Sequence, residues 1–331
     1  MRGRIERVVV VGAGIAGLTA RAELSAAGFS VETIDKGRGP GGRTSRRRAD
    51  GYEFDHGAQY FTARDPAFVE TVNGWTTDGG VRPWRAQIGA LSDKTWRPGR
   101  GSTVRYVGVP GMNRPAKYLA DAGQGPIRSS CRVATIGRDD EGVWLIENDR
   151  GETVSSADAV VVSVPPPQAV ELLQGPGSAS TLLAGAEVEP CWAVMAVFAP
   201  PLEFGWDAAF VNESSLAWVA RNASKPGRPE ADAWVLHATG EWSRRALEYQ
   251  PKQVVGALVE ELFRATGTTR RTPVWAAAHR WRYARPRNRP VDRFWWDSDR
   301  RLGLCGDWCA GGRIEGAFLS GRSLAHAIAA T

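Results

Sequence analysis

Six residues near the amino terminus, Gly12-Ala13-Gly14-Ile15-Ala16-Gly17, have the spacing of a turn that holds a pyrophosphate. Gly12 permits the tight turn, Gly14 lets a phosphate approach the backbone, and Gly17 lets the next helix pack on the preceding strand. The start of that helix offers unpaired N–H groups and the positive end of a dipole. Asp35 follows at the separation from which a carboxylate accepts hydrogen bonds from ribose hydroxyls. The run Lys36-Gly37-Arg38-Gly39-Pro40-Gly41-Gly42-Arg43 then brings paired glycines and an arginine towards the same anion. Near the carboxyl terminus, Leu304-Cys305-Gly306-Asp307-Trp308 precedes Gly312-Arg313-Ile314-Glu315-Gly316-Ala317, a strand end followed by a helix start.

The elements that must position these residues are legible around them. Ile5 to Val11 is a short β-branched run and reads as a buried parallel strand. A helix is expected from Ile15 to about Ala27, stopped at Gly28, and a second strand from Ser30 to Ile34 delivers Asp35. Pro66 to Trp75 and Asn113 to Ala122 read as helices, and residues 76–100, rich in Gly, Pro and Trp, read as irregular. Ile127 to Ile136, Val143 to Asn148 and Thr153 to Ser155 suggest an antiparallel meander. Ala157 to Val164 reads as a buried strand that Pro165, Pro166 and Pro167 stop, turning the chain into a second domain. Four alternating strands follow (Trp192–Phe198, Ala208–Val211, Leu216–Arg221 and Ala233–Ala238), and Pro251 to Thr266 reads as an amphipathic helix. Arg301 to Cys305 is a last strand and Ile314 to Ala330 a closing helix.

Composition narrows the function classes. The length of 331 residues suits about two domains. The hydrophobic fraction of 43% and charged fraction of 24% are those of an ordinary globular chain. A net charge of +6 favours an anionic ligand. The basic residues are dispersed, the one dense run being Arg43, Arg46, Arg47 and Arg48, and no nucleic-acid motif accompanies them. Cys305 and Cys309 are the only close cysteines, and no matching His/Cys pair follows, so no metal site is expected. Arg2, Arg4 and Arg7 before an apolar run imitate a signal peptide, but Gly12, Gly14 and Gly17 interrupt the run. No stretch approaches the ~20 apolar residues of a membrane span. A cytoplasmic enzyme without nucleic-acid or membrane partners is therefore expected.

The fingerprint alone does not separate NAD from FAD. The Gly41-Gly42-Arg43 loop after Asp35 resembles that of the flavin-dependent amine oxidase superfamily. Within it the chain is most similar to the renalase family, especially its bacterial members. The matching stretches are Asp55-His56-Gly57-Ala58-Gln59-Tyr60-Phe61-Thr62-Ala63-Arg64, Val107 to Met112, Val219 to Arg228, Trp234 to Ala238, His279 to Tyr283 and Gly306-Asp307-Trp308-Cys309. Thr44 and Ala246 depart from the pattern, where a larger apolar residue and a histidine are expected.

The resemblance implies an α/β flavoprotein. A Rossmann-like FAD-binding domain of the p-hydroxybenzoate hydroxylase/amine oxidase-like type would take residues 1–75, 101–165 and 280–331. A substrate domain on a mostly antiparallel sheet would take 76–100 and 166–279. It also implies non-covalent FAD, held by Gly12 to Gly17, Asp35, Lys36, Gly42, Arg43, Ala58, Gln59, Val133, Gly306, Asp307, Glu315, Gly316 and Ala317. Asp307 would bond the ribityl chain. The helix starting near Glu315 would aim N–H groups at the flavin edge that becomes negative on reduction.

The implied activity is oxidation of 2- and 6-dihydro isomers of NAD(P) to NAD(P)+, with hydride passing to flavin N5 and oxygen reduced to hydrogen peroxide. The dinucleotide and oxygen are then the small-molecule partners. The pocket candidates implied are Gln59, Tyr60, Met112, Asn222, His237 and Trp308, with Arg228 and Arg282 as possible phosphate contacts. Hydride loss from such a ring needs no general base, so positioning supplies much of the rate. Two alternatives stay open: a flavin amine oxidase or related dehydrogenase, and an FAD-binding protein without turnover. An amine must shed its proton before oxidation. After Lys225 the chain offers only Lys252 for a lysine near the flavin, which counts against the amine reading.

Overall fold

The computed structural model describes residues 4–173 and 178–331. The valine run Arg7–Val11 forms a strand buried on both faces, with Val8 and Val10 in one core and Val9 and Val11 in another. It pairs in parallel with Ser30–Ile34 on one side and Ala159–Val162 on the other. Ile127–Arg128 and Leu302–Cys305 extend the sheet in parallel, and Phe294–Asp297 closes the far edge antiparallel, giving six strands.

Helices Ile15–Ala26 and Ile314–Ala329 lie on the Val8/Val10 face, where Leu18, Leu24, Leu324 and Ile328 bury their side chains. They approach so closely that a Cβ on Gly321 would meet the Ala16 carbonyl at 2.1 Å. The other face is covered by the meander Val133–Arg138, Trp144–Asn148 and Thr153–Ala157. The chain thus has the expected Rossmann-like α/β half, with strands Arg7–Val11 and Leu302–Cys305, from opposite ends of the sequence, in one sheet.

The second sheet has seven strands, in the order Trp275–Pro286, Val188–Val197, Ala233–Ala238, Leu216–Arg221, Ala208–Val211, Ile88–Ser92 and Thr95–Pro98. Only Ala208–Val211 and Ile88–Ser92 pair in parallel. Helix Pro251–Thr266 covers one face with Val254, Leu258, Leu262 and Phe263. Phe54 packs on the other, against Met195 and Val235.

Three local expectations are corrected. Residues 76–100 are not irregular: Val81–Pro83, Ile88–Ser92 and Thr95–Pro98 are strands. Gly89 is a close-packing residue there, because a Cβ would meet the Arg97 carbonyl at 2.1 Å and the Trp96 ring at 2.6 Å. The prolines after Val164 do not only stop a strand. Pro165 caps, and Pro166 begins, helix Pro166–Leu172, since a missing N–H costs nothing in a first helical turn. No element is expected over 267–300, yet the 12-residue strand Trp275–Pro286 lies there. Its Ala276-Ala277-Ala278 run has low β-propensity, and its long pairing with Val188–Val197 decides the matter.

Candidate functional site

The amino-terminal turn has the geometry its spacing predicts. Gly12 sits at φ +112°, and a Cβ there would meet the Ser163 carbonyl at 2.6 Å. A Cβ on Gly17 would meet the Gly12 carbonyl at 2.0 Å, so strand and helix pack closer than any side chain allows. A Cβ on Gly14 would meet nothing within 4 Å. Gly42 comes alongside, its own Cβ position 3.5 Å from the Gly14 Cα, and the Gly41 N–H donates to the Ala13 carbonyl at 2.9 Å. The two glycine loops therefore border one open space. Helix Ile15–Ala26 begins at that space with no side chain capping its first N–H groups. An anion is the remaining partner for such groups.

Asp35 accepts the Ala13 N–H on one oxygen and the Gly37 N–H on the other, each at 2.6 Å. Each oxygen keeps a second acceptor position, as ribose recognition requires. Burial, with Arg132 nearby, lowers the Lys36 ammonium below its ordinary value. The Cys131 N–H donates to the Asp35 carbonyl, which sets the start of Val133–Arg138 beside this corner.

Arg43 and Asp307 meet. The guanidinium donates to both carboxylate oxygens, at 2.5 and 3.0 Å, and to the Ala284 carbonyl at 2.9 Å. The glycine loop and the strand end beyond Leu302–Cys305 are thereby clamped together, and the Arg43 carbonyl accepts the Ala58 N–H. Glu315 turns away from its own helix to accept the Arg64 and Asp65 N–H groups at 2.5 and 2.7 Å. The first turn of Ile314–Ala329 has no side-chain cap. Gly316 lets that turn approach the preceding loop, since a Cβ would meet the Ala310 carbonyl at 2.3 Å, and Ala317 follows on the buried face.

The pocket candidates divide. Gln59, Asn222 and Met112 gather on Asp55. Gln59 Nε2 donates to the Asp55 and Gly57 carbonyls, Asn222 Oδ1 accepts the Asp55 N–H, and the Met112 N–H donates to Asp55 Oδ1. Tyr60 lies beside Trp84 and Trp218, with ring centroids 6.2 and 5.7 Å away. Trp308 does not join them. Its ring folds back over Gly306 into the core on the meander side of the six-stranded sheet.

Two cations sit in this group: Lys225, which sequence reasoning missed, and Arg228, expected only as a phosphate contact and found buried on Asp55 instead. Lys225 Nζ lies 3.3 Å from Asp55 Oδ2, donates to Gln59 Oε1 at 3.1 Å, and stands 5.5 Å from the Trp84 ring centre. Arg228 donates to Asp55 Oδ2 at 2.6 Å and to the Gly108 carbonyl. Both belong to the Asn222-Ala223-Ser224-Lys225-Pro226-Gly227-Arg228 stretch, and that match was the available signal. Burial works to raise the Asp55 carboxyl, but Lys225, Arg228 and the Met112 N–H outweigh it and hold it below the usual carboxylate range. Burial also pushes the Lys225 ammonium down to about 8, against the attraction of Asp55.

Beside them lies a layer of rings. His237, Ala193 and His279 are aligned across three neighbouring strands, and Trp281 is two residues beyond His279. His56 covers this row, stacked on Trp281 at 5.0 Å and edge-on to His279 at 4.8 Å. The His56 carbonyl accepts Trp281 Nε1 at 2.9 Å and lies 3.1 Å from His237 Nε2. Burial, reinforced by His279, His237 and Arg47, lowers His56 to about 3. Burial, with Lys225 and Arg285, takes His237 to about 4, despite its bond to the His56 carbonyl. His279 is lowered by the same two causes, burial first and Arg47 second. All three imidazoles are uncharged at neutral pH, and buried His56 Nδ1 has no hydrogen-bond partner among the described residues. Among the described residues no group of three or more His, Cys, Asp or Glu could hold a metal ion, and no helix is long and apolar enough to cross a membrane.

Residues 89–329 match the model of the flavin containing amine oxidoreductases, and residues 10–74 that of an NAD(P)-binding Rossmann-like domain. Among curated proteins, the zeta-carotene-forming phytoene desaturase of Myxococcus xanthus is 51% identical over 51 residues, 15% of this chain and 10% of that one. The hydroxyneurosporene desaturase of Rubrivivax gelatinosus is 49% identical over 97 residues, 28% of this chain and 18% of that one. The chain thus spans under a fifth of either relative. Among solved structures, a protoporphyrinogen oxidase-like chain from Exiguobacterium sp. 255-15 superposes with a TM-score of 0.81 at 14% identity, covering 99% of this chain and all of that one. Cyclohexylamine oxidase from Brevibacterium oxydans superposes with a TM-score of 0.75 at 15% identity, covering 99% of both. These likenesses bear on the fold. The open cradle at Gly14 and Gly42, two uncapped helix starts and the matched family model agree: the chain belongs to the flavin containing amine oxidoreductases, and its cofactor is FAD.

Proposed function

We propose that the chain oxidises isomeric dihydronicotinamide dinucleotides, the 2- and 6-dihydro forms of NAD(P), as its renalase resemblance implies. The observation that carries this reading is the ring layer of His56, His279 and Trp281, next to Gly57 and held uncharged. A dihydronicotinamide ring is a neutral, nearly flat donor that releases hydride without losing a proton from carbon. It needs contact surfaces and fixed hydrogen-bond partners rather than a base. His56 and His237, with proton affinities near 3 and 4, are poor general bases at neutral pH.

Bound FAD supplies the two-electron acceptor and the route to oxygen. The residues of the chain do the rest. The N–H groups beside Gly14 and at the start of Ile314–Ala329 hold negative charge. Arg43 and Asp307 clamp the two glycine-bearing segments. Gln59 and Asn222 offer amides fixed on Asp55.

One observation favours a second reading, amine oxidation. Lys225 is a buried amine whose proton affinity lies near neutrality, and the count of lysines after it in sequence overlooked it. Anaerobic mixing with the 2- and 6-dihydro isomers, ordinary 4-dihydroNADH and a panel of amines, followed by flavin absorbance, separates the two. Rapid bleaching by the 2- or 6-dihydro isomers alone is expected. Bleaching by an amine, or by the 4-isomer alone, overturns the proposal.

A further inference from the structure

Asp55, Lys225 and Arg228 form one charge cluster sealed from solvent. Their side chains are 1% exposed or less. One carboxylate faces two cations, so the cluster carries a net charge of +1. The Asp55 carboxylate is committed within the cluster: Oδ2 takes both cations and Oδ1 takes the Met112 N–H. The nearby carboxylates are engaged elsewhere, Glu53 with Arg46 and Asp232 with Arg221. Other neighbours add to the sign, since the Arg105 guanidinium stands 5.3 Å from the Tyr60 ring centre. One imidazole registers the same field: Lys225 presses His237 towards its neutral form, with Arg285 acting in the same sense.

An unbalanced charge buried this deeply is screened far less than a surface charge and acts strongly on any charge brought within several ångströms. Lys225 reaches that region directly, through Gln59 Oε1 and over the Trp84 ring beside Tyr60. We propose that the Asp55–Lys225–Arg228 cluster is a charge filter, whose uncompensated positive charge excludes cationic donors, alkylammonium ions among them, from the space at Gln59 and Tyr60 and admits neutral or anionic ones. The inference rests on the proposed function, with the donor on the ring layer by Gly57 reaching along the same segment to Gln59 and Tyr60. Lys225 is here a specificity-determining residue, acting through its charge rather than by proton transfer.

The filter has a pH dependence. The groups facing Lys225 are Asp55, Arg228, His237 and, across Tyr60, Arg105. Asp55 is held ionised and His237 neutral at every pH above 7, and arginine keeps its charge. Lys225, lowered to about 8, loses its proton as the pH rises through that value. Selectivity against cations then falls.

The test uses the FAD-loaded protein and two rings of one shape, neutral nicotinamide and the permanently cationic 1-methylnicotinamide, titrated against the flavin absorbance. At pH 7 the wild type is expected to prefer the neutral ring about tenfold or more. The preference should shrink in wild-type protein at pH 9.5 and vanish at pH 7 in Lys225→Met, which keeps the side-chain length and leaves Asp55 with Arg228. The pH arm needs no mutation and stands if the variant does not fold. Equal binding of both rings by wild type overturns the filter, as does a preference that survives both the pH change and the substitution. Benzyl alcohol and benzylamine at pH 7 form a second pair. If they perturb the flavin and neither nicotinamide does, the dinucleotide reading fails and the filter is judged on the benzyl pair alone. A site that responds to none of the four overturns both.

Discussion

Arg43 and Asp307 lie 264 positions apart and make the two-pronged contact that joins the glycine loop to the strand end beyond Leu302–Cys305. Their side chains are 33% and 11% exposed, so the cost of desolvating both charges offsets much of their attraction and the pair adds little net stability. Its work is to fix where the Gly41-Gly42 backbone stands. Asp307→Asn preserves the shape and removes the charge. It is expected to weaken FAD binding about tenfold, read by flavin titration of the apoprotein, with little change in the melting temperature. An unchanged affinity would show that the clamp does not govern the cradle. Asp35 differs, because its carboxylate satisfies two backbone N–H groups of the turn itself. Asp35→Ala leaves both unpartnered and should cost about 1–3 kcal/mol of stability in denaturant unfolding, besides weakening FAD. The two ends of this site were readable in the sequence because each is a local spacing of glycines and an acid. Lys225 was not, since its partner Asp55 is 170 positions away and nothing local marks a lysine as buried.

Among elements, the contact between Ile15–Ala26 and Ile314–Ala329 is the one that sets the two uncapped helix starts relative to each other. It depends on Gly321, whose Cβ would lie 2.1 Å from the Ala16 carbonyl, an atom of backbone that cannot move aside cheaply. Gly321→Ala is expected to destabilise by about 1–3 kcal/mol and to lower FAD occupancy in parallel. Gly256, in the interior of Pro251–Thr266, is the control. It is exposed, a Cβ there would meet nothing within 4 Å, and Gly256→Ala should stabilise by about 0.5–1 kcal/mol. Thermal unfolding of the two variants tests the pair, and a Gly321→Ala protein as stable as wild type would refute the packing argument. The same contrast explains what was legible at this scale. Helix Pro251–Thr266 announces itself through an apolar face and a proline start, both local. Residues 76–100 conceal three strands because each is decided by a partner strand, Tyr106–Gly108 for Val81–Pro83 and the seven-stranded sheet for the other two.

At the scale of the whole molecule, a net charge of +6 says only that anions are attracted from a distance. It says nothing of the +1 sealed around Asp55 or of three of the four histidines meeting in one layer. Those histidines nonetheless govern how the molecule responds to acid. Unfolded, each takes up a proton near pH 6.5. Folded, His56 does so near 3 and His237 near 4. Between those limits the unfolded state binds more protons, so stability is intact above about pH 6.5 and is lost as the pH falls below it. At pH 5 each of the two buried rings contributes a loss of about 2 kcal/mol. The window is separate from that of Asp55, whose depressed carboxyl contributes stability lost only at lower pH. The melting temperature is therefore expected to drop by about 5 °C or more between pH 7 and pH 5. A His56→Leu, His237→Gln protein that retains FAD should show a much smaller drop. A wild type insensitive to this change, or a double variant that falls as steeply, would mean that water reaches the ring layer and that the imidazoles charge in place. The layer would then be no dry surface for a neutral donor, and the function proposed for it would lose its main support.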